Sequence, residues 1–254
     1  MEKPLAGQVV LVTGGGRGLG RECALAAAEA GASVAVAATT ESQVRGVAEE
    51  IRAFGADGSA VRADVTRVKD VERMVNETVS RLGGLDVLIN AAGLGGRRGS
   101  FLDLEPEMMR EIITVNVVGV LFCCQAALRE MAERGRGHII NFSSNYGRKG
   151  GRNAICYSSS KWAVEGITQG IAAEFKDRGI RVHSLSPGRV ITHNFPLSEL
   201  TKDRYPEVRP VEAIRGSLMD LLTDPDGFPN GGFLNAPDWD RENGIVWKSP
   251  LVDA

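Results

Sequence analysis

What this 254-residue sequence has little of narrows its chemistry first. It holds only four cysteines and three histidines. Cys23, Cys123, Cys124 and Cys156 match neither a zinc-ligand spacing nor a secreted disulfide framework, and His138, His183 and His193 are too scattered to form a metal constellation. Reduced, buried thiols in a cytoplasmic protein are the expectation. An excess of one charge is also missing. Thirty Lys and Arg against 32 Asp and Glu leave a net charge of -2, which gives no footprint for nucleic acid or an anionic membrane. The basic pairs Arg97-Arg98 and Arg148-Lys149 are short and read as loop charges. No signal-peptide core follows Met1, and no apolar run reads as long enough to span a bilayer. Repeats and linkers are absent too, so residues 1–254 are expected to form one domain.

What is there alternates regularly. Gln8 to Thr13 is a short β-branched run of the kind buried on both faces of a sheet. It leads into Gly14-Gly15-Gly16-Arg17-Gly18-Leu19-Gly20 and then an alanine-rich, helix-prone stretch. In a strand, glycine turn and helix, the backbone comes close to a pyrophosphate that sits at the positive helix N-terminus. The next strand, Ser33 to Ala38, ends in Ala37-Ala38-Thr39-Thr40. A free adenosine 2'-hydroxyl is normally held by a carboxylate at that point, and none stands there. Thr40 with Gln43 reads as a capping box, which makes Glu41 a first-turn residue. With Arg17 in the glycine loop, this favours a 2'-phosphate and hence NADP(H).

Further along, Asp64-Val65 closes a strand, where Asp64 either meets an adenine edge or caps the following helix. Asn90-Ala91-Ala92-Gly93 closes another, its small residues suiting either a flat ligand or simple packing. A long helix over about 106–132 carries Asn116 in an apolar stretch, as a satisfied buried amide or a site residue. Strands follow at Ile139 to Phe142 and at Ile180 to Ser186, the latter running into Pro187-Gly188-Arg189-Val190-Ile191-Thr192. Six strands and five helices in alternation argue for an α/β, doubly wound parallel sheet with helices on both faces, a Rossmann-type fold.

Between the last two of these strands lies the stretch from Ser144 to Lys161. A helix from about Asn153 places Tyr157 and Lys161 on one face. A phenol titrates near pH 10 and is a poor acid or base at neutral pH unless its anion is stabilised. An ammonium about 4 Å away contributes about 4 kcal/mol at an effective dielectric of about 20, and only about 1 kcal/mol in bulk water. The pair therefore needs a partly dried site. Alone, Tyr-x-x-x-Lys is compatible with an ordinary surface helix.

Taken together, these residues resemble the short-chain dehydrogenase/reductase family over residues 8–192. Thr13-Gly14-x-x-x-Gly18-x-Gly20 resembles its cofactor loop, Asp64-Val65 its adenine contact, and Asn90-Ala91-Ala92-Gly93 its Asn-Asn-Ala-Gly motif with Ala91 for the second asparagine. Pro187-Gly188 and Thr192 resemble its nicotinamide-side motif, with His183 where asparagine is common. The resemblance implies cofactor contacts from Gly14, Arg17, Gly18, Leu19, Gly20, Thr39, Asp64, Val65, Asn90, Ala91, Gly93, Tyr157, Lys161, Pro187, Gly188, Val190 and Thr192. It also implies a catalytic tetrad of Asn116, Ser144, Tyr157 and Lys161. Tyr157 is then the acid for carbonyl reduction and Ser144 orients the substrate oxygen. Lys161 lowers the tyrosine pKa, and Asn116 holds a water for proton return. An NADP(H)-dependent ketone reductase of a small or medium-sized organic substrate is implied, as a homodimer or homotetramer. An NAD-dependent alcohol dehydrogenase and a non-catalytic dinucleotide sensor stand as alternatives.

The family pattern weakens after Thr192. A substrate loop is expected around 189–212, bordered by His193 and Phe195, with Arg97, Arg98, Asn145 and Tyr146 facing it. A helix is expected over Val211 to Leu222 and a last strand over Gly232 to Asn235. Residues 223–254 are atypical and resemble the ending of sniffer-related carbonyl reductases. Trp239 and Trp247 are expected to cover the core, with reach to a pocket or a neighbouring subunit as the alternative.

Overall fold

The computed structural model describes residues 3–95, 99–192 and 207–251. Arg97, Arg98, His193 and Phe195, with most of the expected substrate loop, lie outside the described residues. Strand β1 (Val9–Thr13) is buried along its whole length. Its side chains alternate between two cores, Val10 and Val12 in one and Leu11 in the other. The remaining strands are β2 (Ser33–Ala38), β3 (Gly58–Arg62), β4 (Val87–Asn90), β5 (Gly137–Phe142), β6 (Ile180–Ser186) and β7 (Phe233–Asn235). Among the described residues they form one parallel sheet in the order β3-β2-β1-β4-β5-β6-β7.

The helices are α1 (Gly18–Glu29), α2 (Glu41–Ala53), α3 (Val68–Leu82), α4 (Pro106–Ile113), α5 (Gly119–Arg134), α6 (Ile155–Phe175), α7 (Arg215–Thr223) and α8 (Ala236–Glu242). α1, α2 and α7 bury their apolar faces in the core of Val10 and Val12, while α3, α5 and α6 bury theirs in the core of Leu11. Both faces of the sheet are thereby covered, as the apolar strands require. Strand order reverses between β1 and β4, and the crevice beyond their C-terminal ends is where such sheets bind ligands.

Several local expectations change. The long helix is not uniform, because Thr114–Val118 forms a π-helical turn between α4 and α5. Pro106–Arg134 as a whole is 29 residues and, by length and composition, apolar enough to cross a membrane, which corrects the expectation that no such run exists. Here it is a core helix, with Cys123, Ala127 and Met131 packed into the sheet. Thr40 occupies the N-cap position of α2 but its side chain makes no capping bond. The partner expected for it, Gln43, packs instead over Gly16, where a Cβ would lie 3.0 Å from the Gln43 Cβ. α6 starts at Ile155 and not at Asn153, which takes a left-handed φ of 58° and stays outside the helix. The expected last strand forms over Phe233–Asn235 and pairs with β6, but α8 after it has no counterpart in the sequence reading. Trp239 does cover a helix: its ring lies against Gly216, and its indole N–H donates to Asp220 Oδ2 at 2.7 Å. Trp247 differs, and lines a cavity.

Candidate active site

The glycine loop leaves β1 with no room for side chains. A Cβ at Gly14 would lie 2.7 Å from the Ala92 nitrogen, so the loop packs directly on the chain leaving β4. Gly14 and Gly18 have φ values of 66° and 55°, which glycine adopts without strain. Gly20 is buried against the Gly14 carbonyl. The result is a bare backbone turn at the N-terminus of α1, the strand, glycine turn and helix that the sequence predicts. Arg17 is exposed beside it and makes no ion pair among the described residues.

Two strand ends continue this side of the crevice. Thr39 is exposed after β2, and Glu41 is held by Arg45, whose Nε donates to Glu41 Oε1 at 2.9 Å. Asp64 follows β3 without capping α3. Its Oδ1 accepts from the nitrogen and hydroxyl of Thr66 at 2.9 and 2.7 Å, which fixes a local turn. Val65 packs on Gly119 at the start of α5. Asn90 faces inward: its side-chain amide donates to Asn141 Oδ1 at 2.9 Å and to Cys124 Sγ at 3.3 Å, tying β4 to β5 and α5. This commits the Asn90 side chain to bracing the sheet.

Beyond β4, β5 and β6 lies a cavity of about 760 Å³. Ser144, Tyr157 and Lys161 line it, together with Leu19, Ala91, Gly93, Pro187, Gly188, Val190 and Thr192. Residues from sites far apart in sequence are thus brought to one volume. Ser144 caps a short 3-10 turn, its Oγ accepting from the Tyr146 nitrogen at 3.2 Å, which leaves the hydroxyl hydrogen for another acceptor. Tyr146 meets Tyr157 edge to face, with ring centroids 6.2 Å apart. One turn after Tyr157, Lys161 is 6% exposed and its Nζ lies 5.6 Å from the tyrosine ring centroid. Its ammonium donates to the Phe142 carbonyl oxygen at 2.7 Å. Burial pulls the Lys161 pKa from 10.5 down to about 8, and the charge of Glu165 opposes that pull.

Asn116 stands behind this group, in the π-helical turn. Its Oδ1 accepts from the Leu94 nitrogen at 2.7 Å, while Nδ2 donates to the Leu94 oxygen at 2.9 Å and to Ser160 Oγ at 3.0 Å. Ser160 in turn donates to the Tyr157 carbonyl oxygen at 2.7 Å. Both amide hydrogens are spent, so a water on this side chain could only donate to the remaining lone pair of Oδ1. The π turn, a form frequent at functional sites, sets Asn116 against the Leu94 backbone. Sequence reasoning missed Ser160, although its position three residues after Tyr157 was a signal. It also missed Glu165, buried one turn beyond Lys161, and the cavity wall that Arg209 and Asp240 form beside Trp247.

The family model described as short chain dehydrogenase matches residues 8–202. The short chain dehydrogenase/reductase astE of Aspergillus oryzae is 36% identical over 224 residues, covering 87% of this chain and 85% of its own. The 3-oxoacyl-[acyl-carrier-protein] reductase FabG of Staphylococcus aureus is 38% identical over 183 residues, covering 72% and 74%. Among solved structures, NAD+-bound xylitol dehydrogenase superimposes with a TM-score of 0.84 at 26% identity, covering 91% of this chain and 98% of that one.

Proposed function

The chain belongs to the short-chain dehydrogenase/reductase family of oxidoreductases, whose members bind nicotinamide dinucleotides and act on carbonyl and alcohol groups, and from that premise we propose that it is an NADPH-dependent reductase of a small or medium-sized ketone. The observation that carries this reading is the convergence of Ser144, Tyr157 and a buried Lys161 on one cavity that also touches the glycine-loop residue Leu19. The bare turn from Gly14 to Gly20 fits the pyrophosphate, and Pro187, Gly188, Val190 and Thr192 would hold the nicotinamide end.

When bound, the dinucleotide supplies the hydride. The protein's residues handle the proton. Ser144 Oγ donates to the substrate oxygen and orients it, and the Tyr157 hydroxyl gives its proton to that oxygen as the carbonyl becomes an alcohol. The phenolate left behind lies beside the buried Lys161 ammonium, which offsets its charge. Asn116, through Ser160 and Leu94, keeps the first turn of α6 and the wall after β4 in register.

Preference for NADPH is supported by the end of β2, where Thr39 stands in place of a carboxylate and Glu41 is neutralised by Arg45. Arg17 is exposed beside it and makes no ion pair among the described residues, which suits it to a 2'-phosphate. FabG, by its name a reductase, supports the direction. A second reading, NAD-dependent alcohol oxidation, is favoured by the likeness to a xylitol dehydrogenase that binds NAD+. Free, buried cysteines are in keeping with a cytoplasmic location.

Following NADPH and NADH oxidation with a panel of ketones tests the proposal. Faster turnover with NADPH is expected; a strong preference for NADH would give the site to the second reading. Dinucleotide binding without turnover of any carbonyl or alcohol would leave only a sensor role.

A further inference from the structure

Arg209 joins three segments that meet at the cavity. Its main chain bridges the stretch after β6, Arg209 N donating to the Arg189 oxygen at 2.9 Å and Ile191 N to the Arg209 oxygen at 3.2 Å. One terminal nitrogen of its guanidinium pairs with Asp240 on α8, and the other donates to the Pro187 carbonyl oxygen. The two side chains of the ion pair are only 10% and 6% exposed. The same two elements touch directly, since a Cβ at Gly188 would lie 2.5 Å from Pro237 Cγ. Asp240 also supports the tail, its carbonyl oxygen accepting from the Ile245 nitrogen at 2.8 Å, and that tail brings Trp247 to the cavity.

A buried ion pair is a poor net stabiliser of a fold. Desolvation of both charges consumes most of their attraction, and an apolar pair of similar volume often holds a core as well or better. An apolar pair cannot fix two directions at once. The planar guanidinium does, donating to a carboxylate and to a backbone carbonyl from a single rigid fork. We infer that Arg209 and Asp240 are positioning residues: together they latch the Pro187–Gly188 turn to α8, so that the nicotinamide-side wall and the Trp247 side of the cavity move as one body. The inference rests on the reading of Pro187 to Thr192 as the nicotinamide side.

The test is the double variant Arg209→Met/Asp240→Leu, which leaves no unpaired charge, beside Arg209→Lys. Thermal unfolding, kcat, KM and equilibrium binding are measured for NADPH and for 2'-phospho-ADP-ribose, which lacks the nicotinamide. The double variant is expected to keep its unfolding temperature and its affinity for the fragment, while NADPH affinity and kcat each fall about tenfold. Arg209→Lys, which can pair with Asp240 but loses the fork, should fall between it and the wild type. If the double variant does not fold, the lysine variant carries the same comparison. Equal losses for NADPH and the fragment, or no loss for either, overturn the latch. Wild-type protein that binds neither ligand overturns the cofactor reading itself, and the latch with it.

Discussion

The ammonium of Lys161 donates to the carbonyl oxygen of Phe142 across 2.7 Å, which fixes a buried cation at the end of β5 and within reach of Tyr157. That placement is costly. With its pKa drawn down from 10.5 to about 8 by burial, Lys161 binds its proton less tightly in the folded chain than in the unfolded one. The cost is full below pH 8 and is relieved as the pH rises towards 10.5. At neutral pH it amounts to about 3 kcal/mol at most. Lys161→Met is therefore expected to abolish turnover and yet unfold at an equal or higher temperature at pH 7. A large drop in unfolding temperature would show that the lysine is kept for the fold.

The same pKa is expected to set the alkaline limb of activity. Above pH 8 Lys161 loses its charge in the free protein, Tyr157 loses its electrostatic support, and kcat/KM for carbonyl reduction should decline. Glu165, buried one turn along α6 and held by Ser184 at 3.0 Å, opposes the loss of that charge. Glu165→Gln should move the decline to lower pH by a measurable fraction of a unit or more, with the plateau rate retained. A pH–rate profile that does not move would remove Glu165 from this role.

Tyr157→Phe removes the proton donor while keeping the ring that meets Tyr146 edge to face. Folding and dinucleotide binding should be intact, and kcat should fall by about 10²–10⁴-fold or more. Retained turnover in this variant would refute the assignment of Tyr157 as the acid.

The parts of the site that could be read from sequence are those written in local patterns. Gly14 to Gly20 sits between an apolar strand and an alanine-rich helix, and Tyr157 and Lys161 keep helical spacing, so each announces its neighbours. The sheet was legible for the same reason, because strands buried on both faces carry unbroken apolar runs. Contacts between segments distant in the chain were not. Asn116 finds Leu94 across 22 residues, and Arg209 finds Asp240 across 31, with nothing periodic in between. The missing cap at Thr40 shows the converse: Gln43 had the spacing for a capping box, but packing over Gly16 claimed it.

Arg17→Ala tests the cofactor preference. A charge-assisted hydrogen bond to a 2'-phosphate is worth about 1.5–3 kcal/mol, so NADPH should bind at least about tenfold more weakly while NADH binding is little changed. Titration by cofactor fluorescence distinguishes the cases, and equal losses would take Arg17 out of the phosphate site.

The proposed self-association has a candidate surface on α6. Ile155 and Trp162, 46% and 51% exposed, lie seven residues apart on one face of α6, and Leu121 on α5 is 46% exposed. Burying Ile155 and Trp162 together would require a partner over this face of α6. We expect a homodimer or homotetramer by light scattering, and Trp162→Glu should shift it towards monomer. An unchanged mass would place the interface elsewhere.

Acid sensitivity should come from the other end of the sheet. His138 on β5 and His183 on β6 are buried, with Nε2 of the first 2.9 Å from Nδ1 of the second. Burial and the facing ring lower the His138 pKa from 6.5 to about 3, and burial lowers that of His183 as well. Both rings are then neutral in the folded chain at pH 7, one donating to the other. Unfolding exposes them to water, where they take up protons below pH 6.5, so the unfolded state binds more protons in this range. Stability is complete above pH 6.5 and falls as the pH drops, His138 contributing up to about 1.4 kcal/mol per pH unit down to about pH 3 and His183 adding to the fall in the same direction. His138→Gln removes one titrating ring and keeps a side chain able to hydrogen-bond His183. Its stability in urea should be lower than wild type at pH 7 but fall less steeply between pH 6.5 and 4. Parallel curves for the two proteins across that window would mean that His138 plays no part in the acid limb.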